Sequence, residues 1–409
     1  MNLPYQLFIG LRYLRSKKKH KGVSVNTLIS VGGVAVGVMA LLVVLSVMSG
    51  FHEDLQKKIL GVNAHAVVLS YRGAMPDYRE VIEKIQTDRD IVSLSPFVMG
   101  QVMVSYGKRA HGVFLRGIVP ETEKKTTELQ KFMKEGSIDI LMKNEAVPGI
   151  IVGKELAGNL GVFRGDLITV LSPVGRIGPL GMLPKVRQFR VAGIFEVGMF
   201  EYDSNLVLTG LKSSQEFFDM KDEVMGIQIK LSDIYKADSV RERIEKQIEF
   251  PLHVKDWMQM NRNLFSALKL EKFAMFVMLI LITLVASFNI VSTLIMNVIE
   301  KTREIAILKT MGATDKGIMT IFMMQGLLIG LSGTVIGLTG GYFLCYLLNT
   351  YEVIKLPADV YYLGHLPVKT KLFDFIVVSL SAVIISFVAT LFPARQAAKL
   401  DPVEPLRYE

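Results

Sequence analysis

Four stretches of the chain carry no charged side chain: Gly22–His52, Phe273–Ile299, Gly317–Tyr351 and Phe375–Ala394. A helix needs about 20 mostly apolar residues to cross the hydrocarbon of a bilayer, so each stretch can span one. The residues between the first and second stretches, 51–272, are charge-rich. The pattern predicts a helical membrane protein with one span, a large extramembrane domain and three further spans. The expected division is a basic segment at 1–27, spans at 28–50, 270–299, 317–349 and 374–394, the domain at 51–269, an inner connection at 300–316, an outer loop at 350–373 and a tail at 395–409.

The large domain reads as mixed α/β. Ala64–Ser70 is apolar and β-branched, Asp77–Gln86 places Val81, Ile82 and Ile85 at helical spacing, and Ile91–Phe97 is extended again. The same strand–helix–strand order returns at Val224–Leu231, Ser239–Ile248 and His253–Trp257. Two such units at the ends of the domain predict a split, pseudo-repeated base near the membrane. Between them, Leu167–Leu171 and Gln188–Phe195 read as strands, the second alternating Phe189, Val191 and Gly193 against Gln188, Arg190 and Ala192. This middle part is expected to be a β-rich subdomain inserted into the base.

Charge sets the expected orientation. Lys and Arg exceed Asp and Glu to give a net +9, and Arg12, Arg15, Lys17, Lys18, Lys19 and Lys21 all precede the first span. Phe51–Lys272 is close to neutral, with 31 basic and 29 acidic residues. Basic residues flanking a span stay cytoplasmic, so both termini and the 300–316 connection are expected inside and the large domain outside. A basic balance can also attract nucleic acid, but its placement here is a topology signal, and no nucleic-acid partner is expected. The first run is longer than a signal-peptide core and no A-x-A site follows it, so it is expected to remain as an anchor. Cys345, the one cysteine, falls in the third span, which leaves the outer domain without a disulfide.

Between the two middle strands lies a segment from Ser172 to Pro184 with Pro173, Pro179 and Pro184 and with Gly175, Gly178 and Gly181. Prolines remove backbone donors and glycines permit unusual dihedrals, so the segment is expected neither to extend a sheet nor to form a helix. It nevertheless carries Ile177, Leu180, Met182 and Leu183. Composition leaves two readings open: a hairpin tip or lid packed on its own domain, or a protruding arm that offers apolar side chains to another protein.

The inner connection, Glu300 to Gly312, places Ile305, Leu308 and Met311, with Ala306 nearby, at helical spacing. Glu300/Arg303 and Lys301/Glu304 are i,i+3 pairs, Gly312 can end the helix, and Thr314 or Asp315 can cap the next. Such a helix could rest on lipid or dock on a soluble protein; Glu300 and Glu304 beside anionic lipid favour docking.

The apolar cores of the spans, Leu28–Gly50, Phe273–Ile299, Gly317–Tyr351 and Phe375–Ala394, lack Asp, Glu, Lys, Arg and His. Ion-coupled transporters place ionisable groups there, so a secondary transporter is not expected. Gly326, Gly330, Gly333, Gly337, Gly340 and Gly341 in the third span, and Gly33 and Gly37 in the first, are spaced for close helix packing. Asn289 in the second span is expected to face another helix. The chain has no G-x-x-x-x-G-K-[ST] loop, no H-E-x-x-H and no G-x-S-x-G. No enzymatic activity, metal site or cofactor of its own is expected.

Several segments together carry a resemblance. The opening L-P-Y-Q-L-F-I-G-L-R-Y-L-R, the first-span exit V-L-S-V-M-S-G-F, the inner E-K-T-R-E-I-A-I-L-K-T-M-G-A-T with the later I-F-M-M-Q-G, and the closing P-V-E-P-L-R-Y-E resemble the LolC/LolE family from end to end. These are membrane subunits of the lipoprotein-releasing ABC transporter of Gram-negative bacteria. Where the family usually reads M-N-G-F, this chain has Met48, Ser49, Gly50 and Phe51.

The resemblance implies an α-helical membrane protein of the bacterial inner membrane with four transmembrane helices in a 1+3 layout and a large α/β periplasmic domain, the MacB/FtsX-like type VII ABC permease arrangement. It implies that ATP and Mg are bound by a separate LolD-like ATPase, present in two copies, which would dock on Glu300, Arg303, Glu304, Ile305, Leu308, Lys309 and Gly312. It further implies a second LolC/LolE-type permease subunit or another copy of this chain. A LolA-like carrier would bind a hook at 172–187, matched by Pro173, Ile177, Pro179, Leu180, Met182, Pro184, Arg187 and Phe189, which favours a LolC-like role. Lipoprotein substrate and membrane lipid complete the expected partners, with Val44, Val47, Met48, Phe51, Phe265 and Leu268 as candidate lipid contacts. Two other functions share the architecture: a MacB-like export permease for another amphiphile, and an FtsX-like mechanotransmitting scaffold that regulates a periplasmic hydrolase.

Overall fold

The computed structural model describes residues 21–143, 145–178, 181–351 and 367–401, with side chains described for these except 21–25, 174–178, 181–183, 279 and 283. The chain divides into two units, one built on four long helices and one on Glu53–Ser266.

The long helices are Lys21–Val62, Arg262–Glu300, Asp315–Tyr351 and Leu372–Ala398, each long and apolar enough to cross a membrane. The first outlasts its apolar run. Glu53 pairs with Lys57 and Asp54 with Lys58 at i,i+4, the favourable acid-before-base order, and these pairs carry the helix on to Val62.

Glycine on the third helix sets how closely its neighbours approach. A Cβ at Gly333 would lie 2.7 Å from Val34, one at Gly337 would lie 2.6 Å from the Ala35 carbonyl, and one at Gly341 would lie 2.8 Å from Leu42. These approaches are shorter than any real Cβ makes, so only glycine lets the first and third helices meet along this row. On the other side Gly326 and Gly330 lie against Thr390 and Ser386 of the fourth helix. The first and second helices are joined by a buried hydrogen bond between Ser30 and Thr293, and Asn289 faces Gly33 of the first helix, as expected. Gly50 admits the backbone of Pro367 and Lys369, whose amide at Lys369 donates to the Ser46 carbonyl at 2.9 Å. Ser49, the departure from the family pattern, donates to Asp374 Oδ2 at 3.3 Å.

The second unit holds ten strands: β1 (Ala66–Ser70), β2 (Ile91–Tyr106), β3 (Arg109–Ile118), β4 (Met133–Glu135), β5 (Gly149–Gly153), β6 (Leu167–Gly178), β7 (Gly181–Phe195), β8 (Leu206–Gly210), β9 (Gly226–Leu231) and β10 (Leu252–Asp256). They form one sheet in the order β10-β1-β9-β2-β3-β8-β5-β7-β4, with β6 pairing β2 and β7. The predicted base is present. The helices Tyr78–Ile85 and Ala237–Glu245 pack Val81, Ile85, Val240 and Ile244 on Ala66, Val68, Ile227, Ile229 and Val254, around Trp257. A second core gathers Val104, Leu115, Ile150, Val152, Ile168, Phe189, Val191, Val207 and Phe217. The two are not separate sheets. The first part of β2 pairs β9 and its remainder pairs β3 and β6, so one strand runs through both cores.

The Pro/Gly segment corrects the sequence expectation, because it does extend the sheet. β6 and β7 stay paired out to Arg176↔Leu183, Ile177↔Met182 and Gly178↔Gly181. The ladder skips between Ser172 and Arg176, and both Pro173 and Pro184 fall in that interruption, where a missing N–H breaks no pairing.

Candidate functional site

The inner connection forms the helix Thr302–Thr310. It ends where Gly312 adopts φ +99 and the Ala313 amide returns to the Leu308 carbonyl at 2.9 Å. Thr314, not Asp315, supplies the next cap, its Oγ1 accepting from the Gly317 amide at 3.2 Å. Of the two predicted ion pairs, Lys301 Nζ reaches Glu304 Oε1 at 2.6 Å. The Glu300–Arg303 pair is not made: Glu300 Oε2 is buried with no hydrogen-bond partner among the described residues.

The predicted docking set divides in two. Arg303, Glu304 and Gly312 are exposed. Ile305 is 1% exposed and packs with Val298, Ile318, Phe322, Ala394 and Ala397, with Leu308 against the same cluster. Lys309 points the same way, its Nζ donating to the carbonyls of Ala398 at 2.7 Å and Leu400 at 2.9 Å and pairing with Asp315 at 2.8 Å. This corrects the assignment of Ile305 and Lys309 to a docking surface: both hold the helix to its own unit. The residues that do face outward are Ile307 and Met311, the latter 79% exposed. With Arg303 they make an i,i+4 row, and that spacing was the signal the sequence reading passed over.

The hairpin that carries the predicted hook is strapped at its root. Lys185 Nζ donates to Asp219 Oδ1 at 2.6 Å and to the Glu216 carbonyl at 2.7 Å. Arg187 reaches Glu216 Oε2 at 3.1 Å and lies over the Phe189 ring at 5.7 Å. Phe189 is fully buried and edge-on to Phe217 at 6.0 Å, so it is a core residue and not a hook contact, a second correction. Pro173 and Pro184 are exposed. Pro179 and Leu180, and the side chains of Ile177 and Met182, lie outside the described residues.

Among the candidate lipid contacts, Val44 is exposed and Val47, Met48, Phe51 and Leu268 are half-buried. Phe265 differs. Its ring stands edge-on to Trp257 at 4.9 Å and packs on the base core, which removes it from the lipid set. An apolar cavity of about 550 Å³, mouth included, opens between the first, second and fourth helices, lined by Val34, Leu41, Ile282, Ile290 and Val378. Among the described residues no His, Cys, Asp and Glu side chains gather as metal ligands would.

Charge elsewhere in the sheet unit is structural. The Arg243 guanidinium, forked between Asp88 and Asp90 at 2.7–2.9 Å, helps hold both carboxyls below their usual range; for Asp90 the larger cause is its bond from Lys236. Burial lowers the His65 pKa, with Nδ1 accepting from the Leu231 amide at 3.0 Å.

Four apolar helices together with a split α/β sheet define a permease of the MacB/FtsX class. Residues 27–247 match the MacB-like periplasmic core domain and residues 276–402 the FtsX-like permease C-terminal domain. Over 99% of both chains, this one is 38% identical to the lipoprotein-releasing system transmembrane protein LolC of Xylella fastidiosa and 36% identical to that of Neisseria meningitidis. It is 31% identical to the LolE protein of Haemophilus influenzae, again over 99% of each. The chain belongs to the LolC/LolE family of lipoprotein-releasing system transmembrane proteins.

Proposed function

We propose that this chain is the permease subunit of an ATP-driven complex that extracts lipoproteins from the outer leaflet of the inner membrane and passes them to a periplasmic carrier. The observation that carries the reading is end-to-end similarity to lipoprotein-releasing system proteins. In this reading both termini are cytoplasmic and the sheet unit is periplasmic. A LolD-like ATPase, which binds ATP and Mg, docks on the exposed row Arg303, Ile307 and Met311 with Glu304 beside it. ATP-driven closure pushes the inner helix, which hands the push to the fourth helix through Ile305 and Lys309. The chain itself carries out no catalytic step.

Acyl chains enter laterally beside the first and second spans, past Val44, Val47 and Met48. At about 0.8 kcal/mol per buried CH₂, one long acyl chain costs roughly 10 kcal/mol to extract, which calls for coupling to ATP. The β6–β7 hairpin, stiffened by strand pairing and strapped by Lys185 and Arg187, presents its tip to a LolA-like carrier, the LolC-like role. A second LolC/LolE-type subunit or another copy of this chain completes the complex.

Site-specific photocrosslinking from Ile177, Leu180 and Met182 in intact cells tests this. An adduct with a small soluble lipoprotein carrier is the expected result. Adducts confined to the chain itself, with ATPase assembly normal, would return the hairpin to a structural role and favour an export permease or a scaffold.

A further inference from the structure

The last turns of the first long helix end in a buried polar network that none of the surfaces above uses. Arg116 is 5% exposed, Glu123 0% and Gln228 2%. Arg116 Nη1 donates to the Val62 carbonyl, the final residue of the helix, at 3.1 Å. Its Nη2 donates to Glu123 Oε1 at 2.8 Å and to Gln228 Oε1. Gln228 Nε2 donates in turn to Glu123 Oε2 at 2.9 Å, and the Ser95 and Thr127 hydroxyls donate to the same carboxylate at 3.1 and 3.2 Å. One guanidinium therefore ties β2, β3, β9 and the helix Pro120–Thr126 to a single helix carbonyl. A lysine would carry all its donors on one nitrogen at the end of a flexible stem, whereas the planar fork divides them between two nitrogens in a fixed geometry.

The same helix end is gripped elsewhere. Asn63 donates to the Tyr202 hydroxyl at 2.5 Å, the Glu128 amide to the Gly61 carbonyl at 2.8 Å, and Lys58 to the Gly198 carbonyl at 3.0 Å. At Gly61 the Phe132 ring comes so near that a Cβ would sit 2.7 Å from it.

A buried ion pair contributes little net stability compared with apolar residues of similar volume. Stability alone therefore does not account for it, whereas its directional bonds fix where the helix end sits. We infer that Arg116 is a positioning residue whose network locks the last turns of the first long helix, Glu53–Val62, into the sheet, so that these turns and the sheet move as one body. It rests on the release reading only where it concerns transport: there the lock makes helix motion reach the sheet undiminished, and without it ATP hydrolysis runs uncoupled.

The test uses the full chain assembled with its ATPase in nanodiscs, in a Cys345→Ser background. Spin labels are placed at Lys57→Cys on the helix and Lys212→Cys on the sheet unit, both exposed. The perturbation is the double variant Arg116→Met with Glu123→Leu, which leaves no unpaired buried charge. Its folding is followed by fluorescence of Trp257, the chain's one tryptophan, buried in the base core. The label distance is expected to be narrow in the parent and to split or broaden in the double variant at an unchanged melting temperature. Lipoprotein release is expected to fall about tenfold with ATPase turnover retained, a coupling loss of ordinary size, and Gln228→Leu alone to give a smaller loss.

An unchanged label distance would overturn the lock. A broadened distance with undiminished release would overturn its role in coupling. A parent complex that releases no lipoprotein would instead sink the release reading, while the label distance still decides whether Arg116 holds the helix end.

Discussion

Replacing Lys309 with methionine separates two readings of the inner helix. The side chain is 12% exposed, and its Nζ serves two carbonyls at the end of the fourth helix, those of Ala398 and Leu400. Methionine keeps the apolar stem against its neighbours and removes only the charge and its donors. A hydrogen bond from a charged donor contributes about 1.5–3 kcal/mol when little exposed, and a cation at a helix C-terminus adds about 0.3–1 kcal/mol. Water can reach part of this site and restore some solvation to the carbonyls, so the two bonds together are worth about 2–3 kcal/mol. For a unit of this size that corresponds to a fall of roughly 5–10 °C in melting temperature.

The assay is thermal unfolding of the purified chain in detergent, alongside affinity for the ATPase subunit measured well below the transition. The expected outcome is a lowered melting temperature with little change in affinity. Met311→Ser is the reverse case: melting unchanged and affinity reduced about tenfold or more, as for an exposed apolar anchor. A Lys309→Met protein that melts like the parent but binds the ATPase weakly would refute the inward assignment.

Gly337→Val should separate the first and third helices, since its Cβ would fall 2.6 Å from the Ala35 carbonyl. Overpacking of this kind costs about 1–3 kcal/mol or more, read as earlier unfolding in detergent, and an unchanged transition would count against the glycine row. Phe189→Ala should cost about 3–5 kcal/mol of stability, while Phe189→Leu, at permissive temperature, leaves carrier crosslinking from Met182 intact. The His65 pKa is lowered on folding, so the unfolded chain binds the proton first. Stability of the sheet unit should be full above the ordinary histidine value of about 6.5 and decline as pH falls below it. His65→Gln should flatten that part of the profile, visible in Trp257 fluorescence melts.

The membrane helices were legible because hydropathy reports the phase around a segment, and four uninterrupted runs leave little choice. The base and the inserted strands were legible for a similar reason: Val81, Ile82 and Ile85 repeat at 3.6 in the first and Phe189, Val191 and Gly193 at 2 in the second. What local pattern does not reveal is what covers an apolar face. Ile305 and Met311 read as one stripe, yet Ile305 is covered by Phe322 and Ala394 of the same chain while Met311 stays 79% exposed. The Pro/Gly hairpin was misread because composition is local and pairing is not. Pro173 and Pro184, which share one interruption, do not stop the ladder resuming beyond it. Phe189 was the avoidable error, since its alternation with Val191 already placed it on the core face. The Arg116 network left no trace in spacing, because its members come from five separate segments.

The course of β2 bears on how chains of this kind could be recombined. The hairpin-bearing half of the sheet enters through the middle of that strand and leaves through the loop before β9. One seam is a loop and the other is an unbroken ladder. A chimera that transplants the hairpin with its sheet must therefore cut a strand already bonded on both sides, and its new halves must agree in register with β9 and β3 together. Exchange of the hairpin alone, beyond the interruption at Ser172–Arg176, avoids that demand. Residues of the hairpin can thus be exchanged without touching the joint through which the rest of the sheet is held.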